Sequence, residues 1–195
     1  MKKQLLATVL SSVIGAAMLL PSVANAADYK IDTQGAHASI QFKVNHLGYS
    51  FVAGRFNDFS GDFSYDAAKI ADTNLNVTIN TSSVDSNHAE RDKHLRSADF
   101  LNTGAFSQAQ YTSTSVEDQG NGKILVNGNL TLNGVTKPVA ITAEFVGEGQ
   151  DPWGGYRAGF IGTTEFAMKD FGFKMDLGPA SANVSLDLVI EGIKQ

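Results

Sequence analysis

The chain has 195 residues, 15 Lys+Arg against 20 Asp+Glu, 43% hydrophobic residues and no cysteine. The lack of cysteine excludes disulfides, thiolate nucleophiles and Cys-ligated metals. The acidic balance argues against nucleic acid and against a basic membrane-docking face.

In chain order, the first predicted element is a leader. Lys2 and Lys3 precede an apolar run from Leu5 to Leu20, relieved only by small polar residues. The run ends in Ala24-Asn25-Ala26, the small-x-small pattern that a signal peptidase reads. A membrane span would want about 20 consecutive apolar residues instead. Residues 1–26 are therefore expected to be a cleaved secretory signal. Its removal from 195 residues leaves 169, and takes away two Lys and no acid, so 13 basic residues face 20 acidic ones. That length fits one domain, residues 27–195, with a full core.

Past the leader the dominant period is two. Ala38, Ile40, Phe42, Val44 and His46 share one parity, and Ser39, Gln41, Lys43 and Asn45 the other. "LNVTIN" repeats the pattern with Leu75, Val77 and Ile79. Such alternation predicts strands with one face buried and one wet. "NHAERDKHLRSADFLNTG", residues 87–104, breaks the period and is dense in helix formers. Asn87 with Glu90 makes a capping pair, and Glu90–His94 and Asp92–Arg96 are spaced four apart. So polar a helix should lie on the surface, pinned by Leu95 and the Phe100-Leu101 end.

"KILVNGNLTLNGVTKPVAITAEF" then predicts a hairpin. Asn133-Gly134 suits a type I′ turn, which needs positive φ at both central residues. That turn sets Leu132 against Val135 and Val126 against Ile141 on consistent faces. Asn127-Gly128 falls inside the first arm, with Gly128 marking a bend or bulge. "GEGQDPWGGYRAG", residues 147–159, is predicted to be a Gly-rich loop carrying the only Trp. "NVSLDLVIEG" closes the chain with Val184, Leu186, Leu188 and Ile190 in alternation. Many short strands, turn glycines and one helix suggest a sandwich or a closed antiparallel barrel of about eight strands. A barrel of that size holds one small ligand, although 12 Phe could equally fill an ordinary core.

Catalytic motifs fare poorly. His37 and His46 differ by nine, which in a regular strand puts them on opposite faces roughly 30 Å apart. His88 and His94, six apart on a helix, share no face. There is no HExxH and no His-x-His. Ser50 in "GYSFVAG" lacks the glycine of a nucleophile elbow, and Asp170-Phe171-Gly172 has no kinase context around it. Asn-x-Ser/Thr sequons at Asn76, Asn80, Asn129 and Asn183 fall in predicted strands. His46 alone stays open, because it follows the apolar parity and ends near a mouth.

Several stretches together carry a family resemblance. "YKIDTQGAHASIQFKVNHLGYSFVAGRFNDFSGDFSYD", "AERDKHLRSADF" and "GNLTLNGVTKPV" resemble the opening, helix and hairpin of the YceI-like family of periplasmic polyisoprenoid-binding proteins. "DPWGGYRAGF", "KDFGF" and "DLGPASANVSLDLVIEG" are similar to its C-terminal third. The family's opening pattern matches Asp32, His37, Ile40, Phe42 and His46. Ala38 stands where the family often has Ser, and Met168 where a basic residue could sit. The resemblance implies an all-β fold, an extended antiparallel lipocalin-like barrel with one surface helix. It also implies periplasmic binding, carriage or storage of a long apolar lipid, such as an isoprenoid quinone (ubiquinone, for example) or another polyprenyl chain. No catalytic cofactor, nucleic acid or stable membrane insertion is expected, and a homodimer stays open.

A prenyl tail has no hydrogen-bonding groups, so its recognition must come from apolar area. Ile40, Phe42, Val44, Phe56, Phe63, Leu75, Val77 and Ile79 are expected to line the lumen, with Phe100 at the helix end. His46, Arg91, His94 and Arg96 are candidates for the polar head. Two alternatives remain: an enzyme using His46 as acid or base on a lipid-linked or quinone substrate, and a stress-related structural protein with a filled core.

Overall fold

The computed structural model describes residues 26–195, so the predicted leader, apart from Ala26, lies outside the described residues. The strands are β1 (Ala27–Ile31), β2 (Ser39–His46), β3 (Ser50–Phe56), β4 (Phe59–Tyr65), β5 (Asn74–Asn80) and β6 (Val84–Asp85). After helix α1 (Ala89–Leu95) come β7 (Gln108–Gly120), β8 (Lys123–Leu132), β9 (Val135–Gln150), β10 (Tyr156–Ala167) and β11 (Asn183–Lys194).

The hairpin of β8 and β9 forms in the expected register. Leu132 faces Val135 and Val126 faces Ile141, with Asn133 at φ 51° and Gly134 at φ 75°. Ile124, Val126, Leu130 and Leu132 turn inward from β8 and are buried, as are Val139, Ile141 and Ala143 from β9. Gly128 lies within β8 beside a register shift between Ser113 and Ser115 of β7. A Cβ at Gly128 would fall 2.4 Å from Cζ of Tyr111, whose hydroxyl donates to the carbonyls of Val126 and Val139 at 2.9 and 3.1 Å.

Antiparallel pairing in the order β1-β4-β5-β7-β8-β9-β10-β11 is closed by β11 returning to β1, giving an eight-stranded ring without a free edge. One edge of β11 serves two strands. Val184–Val189 pair with β2, and Gly192–Lys194 with β1. Strands β2, β3 and β6 thereby prolong the wall at one end of the ring.

The aromatic residues divide between the two ends. Near β1, Tyr29 stacks on Phe63 at 4.9 Å, and Phe160 packs edge-on against Phe63, Tyr65 and Phe145. This end is filled. At the opposite end, Phe42, Phe56, Phe166 and Phe173 surround open space. The question raised by the many phenylalanines thus has a divided answer, packed core at one end and container wall at the other.

Three local expectations are corrected. The helix spans only Ala89–Leu95, and its cap is His88, whose Nδ1 accepts from the Arg91 amide at 3.2 Å. Asn87 sits instead at φ 60°, outside the helix. The spaced pairs do not form as read. Asp92 is buried and accepts from the Ser86 amide at 2.8 Å, while Arg96 donates to the carbonyls of Ser82 and Val84. Finally, the Gly-rich stretch 147–159 is mostly strand, since β9 runs to Gln150 and β10 starts at Tyr156. Asp151 organises the short turn left between them by accepting the amides of Trp153 and Gly155.

Candidate functional site: an apolar cavity

The open end of the barrel encloses a cavity of about 350 Å³. Ile40, Phe42 and Val44 of β2 enter it because their common parity faces inward, as do Val52 and Phe56 from β3 and Ile79 from β5. Leu130 and Leu132 of β8, and Val184 and Leu186 of β11, complete the wall. Helix α1 lies against the cavity with Leu95, Arg91 and His94, and the loop after it contributes buried Phe100 and Leu101. Beside them stands the segment between β10 and β11, with Phe173, Met175 and Leu177. That segment is tied to the helix loop by the amides of Lys174 and Met175, which both donate to the Asp99 carbonyl at 3.1 Å.

Polar groups are confined to a few places on this lining. His46 ends β2 and is exposed. Arg91 is anchored through Nε to Ser86 Oγ at 2.7 Å and through Nη2 to the Ser86 carbonyl. His94 packs edge-on against Phe100 at 5.0 Å, and its Nε2 meets Asp99 Oδ2 at 3.2 Å. Asn45 and Ser181 add neutral polar atoms, and among the described residues no carboxylate side chain belongs to the lining. The cavity therefore suits an apolar body with a neutral or anionic polar end.

Of the residues singled out from sequence, Ile40, Phe42, Val44, His46, Phe56, Ile79, Arg91, His94 and Phe100 line this cavity. Four lie elsewhere. Phe63 and Leu75 border a separate void of about 60 Å³ deeper in the barrel, and Val77 is buried in the core without bordering either space. Arg96 is held by the Ser82 and Val84 carbonyls and lines neither. Parity fixes which face a residue takes but not its depth along the barrel axis, which is why the first three were grouped with the rest. Sequence reasoning also overlooked Phe173, Met175 and Leu177. Their alternation was a usable signal, but it sits in a segment without strand pairing.

A second cluster closes the packed end. Asp32, His37 and Glu191 bring ligand-type atoms within 4.8 Å of one another. A guanidinium already occupies that centre, since Arg157 Nη1 reaches Asp32 Oδ2 at 2.7 Å and Glu191 Oε1 at 2.6 Å. Its Nε pairs with Asp151 Oδ2 at 2.7 Å. Bonds from Arg157 and from the Gly35 amide hold the Asp32 carboxyl at about 2, well below its ordinary value. The arrangement is an ionic clamp joining the β1–β2 turn, the β9–β10 turn and β11. His37 precedes β2 rather than belonging to it, so its placement follows from this turn and not from strand parity. His37 and His46 do not meet. Burial pushes the Tyr111 hydroxyl up to about 12, so it stays neutral as a donor within the wall.

A closed eight-stranded antiparallel barrel with one helix and an apolar lumen is a lipocalin-like architecture. The sequence profile of the YceI-like domain matches residues 29–192, and the chain belongs to that family. It is 73% identical to a UPF0312 protein of Shewanella baltica (strain OS185), with all of both chains covered. It is 69% identical over the same full extent to a UPF0312 protein of Shewanella oneidensis. Among solved structures it resembles Burkholderia cenocepacia BcnA, with a TM-score of 0.74 and 21% identity over 83% of this chain and 98% of the other. The Campylobacter jejuni YCEI protein gives 0.71 and 28% over 78% and 90%. A polyisoprenoid binding domain from Saccharophagus degradans gives 0.62 and 16% over 88% and 100%.

Proposed function

We propose that the protein is a periplasmic binding or carrier protein for a long isoprenoid lipid, an isoprenoid quinone or polyprenyl chain. The observation that carries this reading is an apolar cavity whose lining holds few polar side chains, those of His46, Arg91, His94, Asn45 and Ser181, among the described residues. A tail without hydrogen-bonding groups gains about 25 cal/mol for each Å² removed from water. The Saccharophagus relative, described as polyisoprenoid binding, supports the same ligand class. Export rests on the predicted leader, and N-terminal sequencing of the protein from cells is expected to begin at Ala27.

Binding is favoured over catalysis. His46 makes no side-chain hydrogen bond among the described residues, whereas a working base is normally oriented by a partner. Detergent-free purification, lipid extraction and mass spectrometry provide the test. One prenyl lipid in near-equal amount to protein is expected, together with its loss in Phe42→Asp, which puts a charge on the wall. Recovery of no apolar ligand, with no uptake of added isoprenoid, would overturn the reading. Under the carrier reading His46→Ala leaves uptake largely intact. Under an enzymatic one it would stop a measurable turnover of the lipid.

A further inference from the structure

We infer that the β2–β3 hairpin tip is a docking element for a lipid bilayer, an inference that rests on the lumen reading above for its purpose but not for its evidence. The tip carries Leu47, Tyr49 and Phe51, which are 59%, 88% and 66% exposed. Leu177 stands beside it at 38% exposure, brought close by the Ser181 hydroxyl, which lies 3.5 Å from the Leu47 amide. Leu47 and Leu177 also line the cavity. These two leucines therefore carry apolar surface from the lumen to the outside of the molecule. A ligand insoluble in water needs such a route if it is to enter from a membrane without crossing solvent.

The turn chemistry points the same way. Three hairpin turns here have both central residues at positive φ. Two of them use Asn-Gly, with Asn121 at 55° and Gly122 at 77°, and Asn133 at 51° and Gly134 at 75°. The third, closed by the Tyr49 amide donating to the His46 carbonyl at 3.0 Å, places Leu47 at 57° and Gly48 at 83°. Left-handed backbone favours Asn and disfavours a branched aliphatic side chain. Local preference does not account for an exposed leucine at this position, whereas insertion among acyl chains does. Charge agrees as well. In a chain with 20 acids, none occurs between Asp32 and Asp58, and Lys43, the lysine of that stretch, is paired with Asp187 at 2.8 Å, so the tip itself sets no carboxylate against a headgroup. A tip without acids is not repelled by an anionic headgroup layer.

Flotation with protein-free vesicles of phosphatidylethanolamine and phosphatidylglycerol tests this, using protein whose N-terminus has been verified so that a retained leader is not the anchor. The parent is expected to float, and Leu47→Asn/Tyr49→Ser/Phe51→Thr to partition about tenfold less or weaker still, roughly 1.4 kcal/mol or more. The single variant Leu47→Asn should unfold at the same or higher urea concentration, because Asn suits the turn, and yet float less. A Tyr49→Trp probe in a Trp153→Phe background should shift its emission to the blue on vesicles. Farnesol uptake in vesicle-free buffer should match the parent in the double variant Tyr49→Ser/Phe51→Thr, whose two residues lie outside the cavity lining. Equal flotation of parent and triple variant, or no flotation of the parent, overturns the inference. So does a tip-dependent cross-link to a protein in native membranes without flotation on vesicles. Failure of farnesol uptake with tip-dependent flotation intact would instead refute the lumen reading and leave docking standing.

Discussion

Gly54 faces Phe42 across the β2–β3 ladder, and the end of the phenyl ring occupies the space its missing side chain leaves. A Cβ there would sit 2.3 Å from Phe42 Cζ and 2.7 Å from the Asp85 carbonyl. Gly54→Ala must therefore drive the ring into the cavity or part β3 from β6. Its expected cost is about 1–3 kcal/mol in urea unfolding, accompanied by weaker isoprenoid uptake. Phe42 itself was legible from the alternation of its strand. The role of Gly54 was not, because nothing in the local sequence says which ring will cross it. A second prediction concerns Asp32. Its folded pKa of about 2 lies below the ordinary 3.8, so the stability it contributes is complete above about pH 4 and lost as pH falls toward 2. Urea unfolding at pH 6, 4, 3 and 2 should show that decline in the parent. In Asp32→Asn the profile should start lower and be flatter over the same interval.

At the scale of elements, α1 is too short to be stable by itself, and its placement depends on a knot of polar contacts. Buried Asp92 accepts from both the amide and the hydroxyl of Ser86, and Arg91 binds the same serine from the other side. Asp92→Ala leaves those donors without a partner, at about 1–3 kcal/mol. Hydrogen exchange should quicken in residues 86–97 while β8 and β9 remain protected. Unchanged exchange there would show that the packing of Leu95 alone holds the helix. Helix, hairpin and turn were all foreseeable because local periodicity and turn residues encode them. The partners of Asp92 and Arg96 were not, because a spacing of four also permits contacts with the preceding strand, and here those won. Depth in the barrel escaped for the same reason. Phe63 and Leu75 carry the inward parity of their strands, but only the assembled ring decides that they lie below the cavity.

For the whole molecule, filling the hollow end should act on global stability. A ligand at one hundred times its Kd adds about 2.7 kcal/mol. For a domain of this size that corresponds to a rise of roughly 5–10 °C in Tm. Thermal unfolding with and without a saturating isoprenoid measures it, and Phe42→Asp should show no rise. The ring closes between residues at opposite ends of the chain, Tyr29 with Lys194 and Ile31 with Gly192, and the Gln195 amide donates to the Asp28 carbonyl at 2.9 Å. Among the described residues this pairing spans most of the sequence, so its loop-closure entropy is large. That makes closure a late, slow step in folding. Until the last few residues have emerged, β1 and β11 are open edges able to pair with another copy. The interval before closure is when a newly made chain most needs a chaperone or dilution.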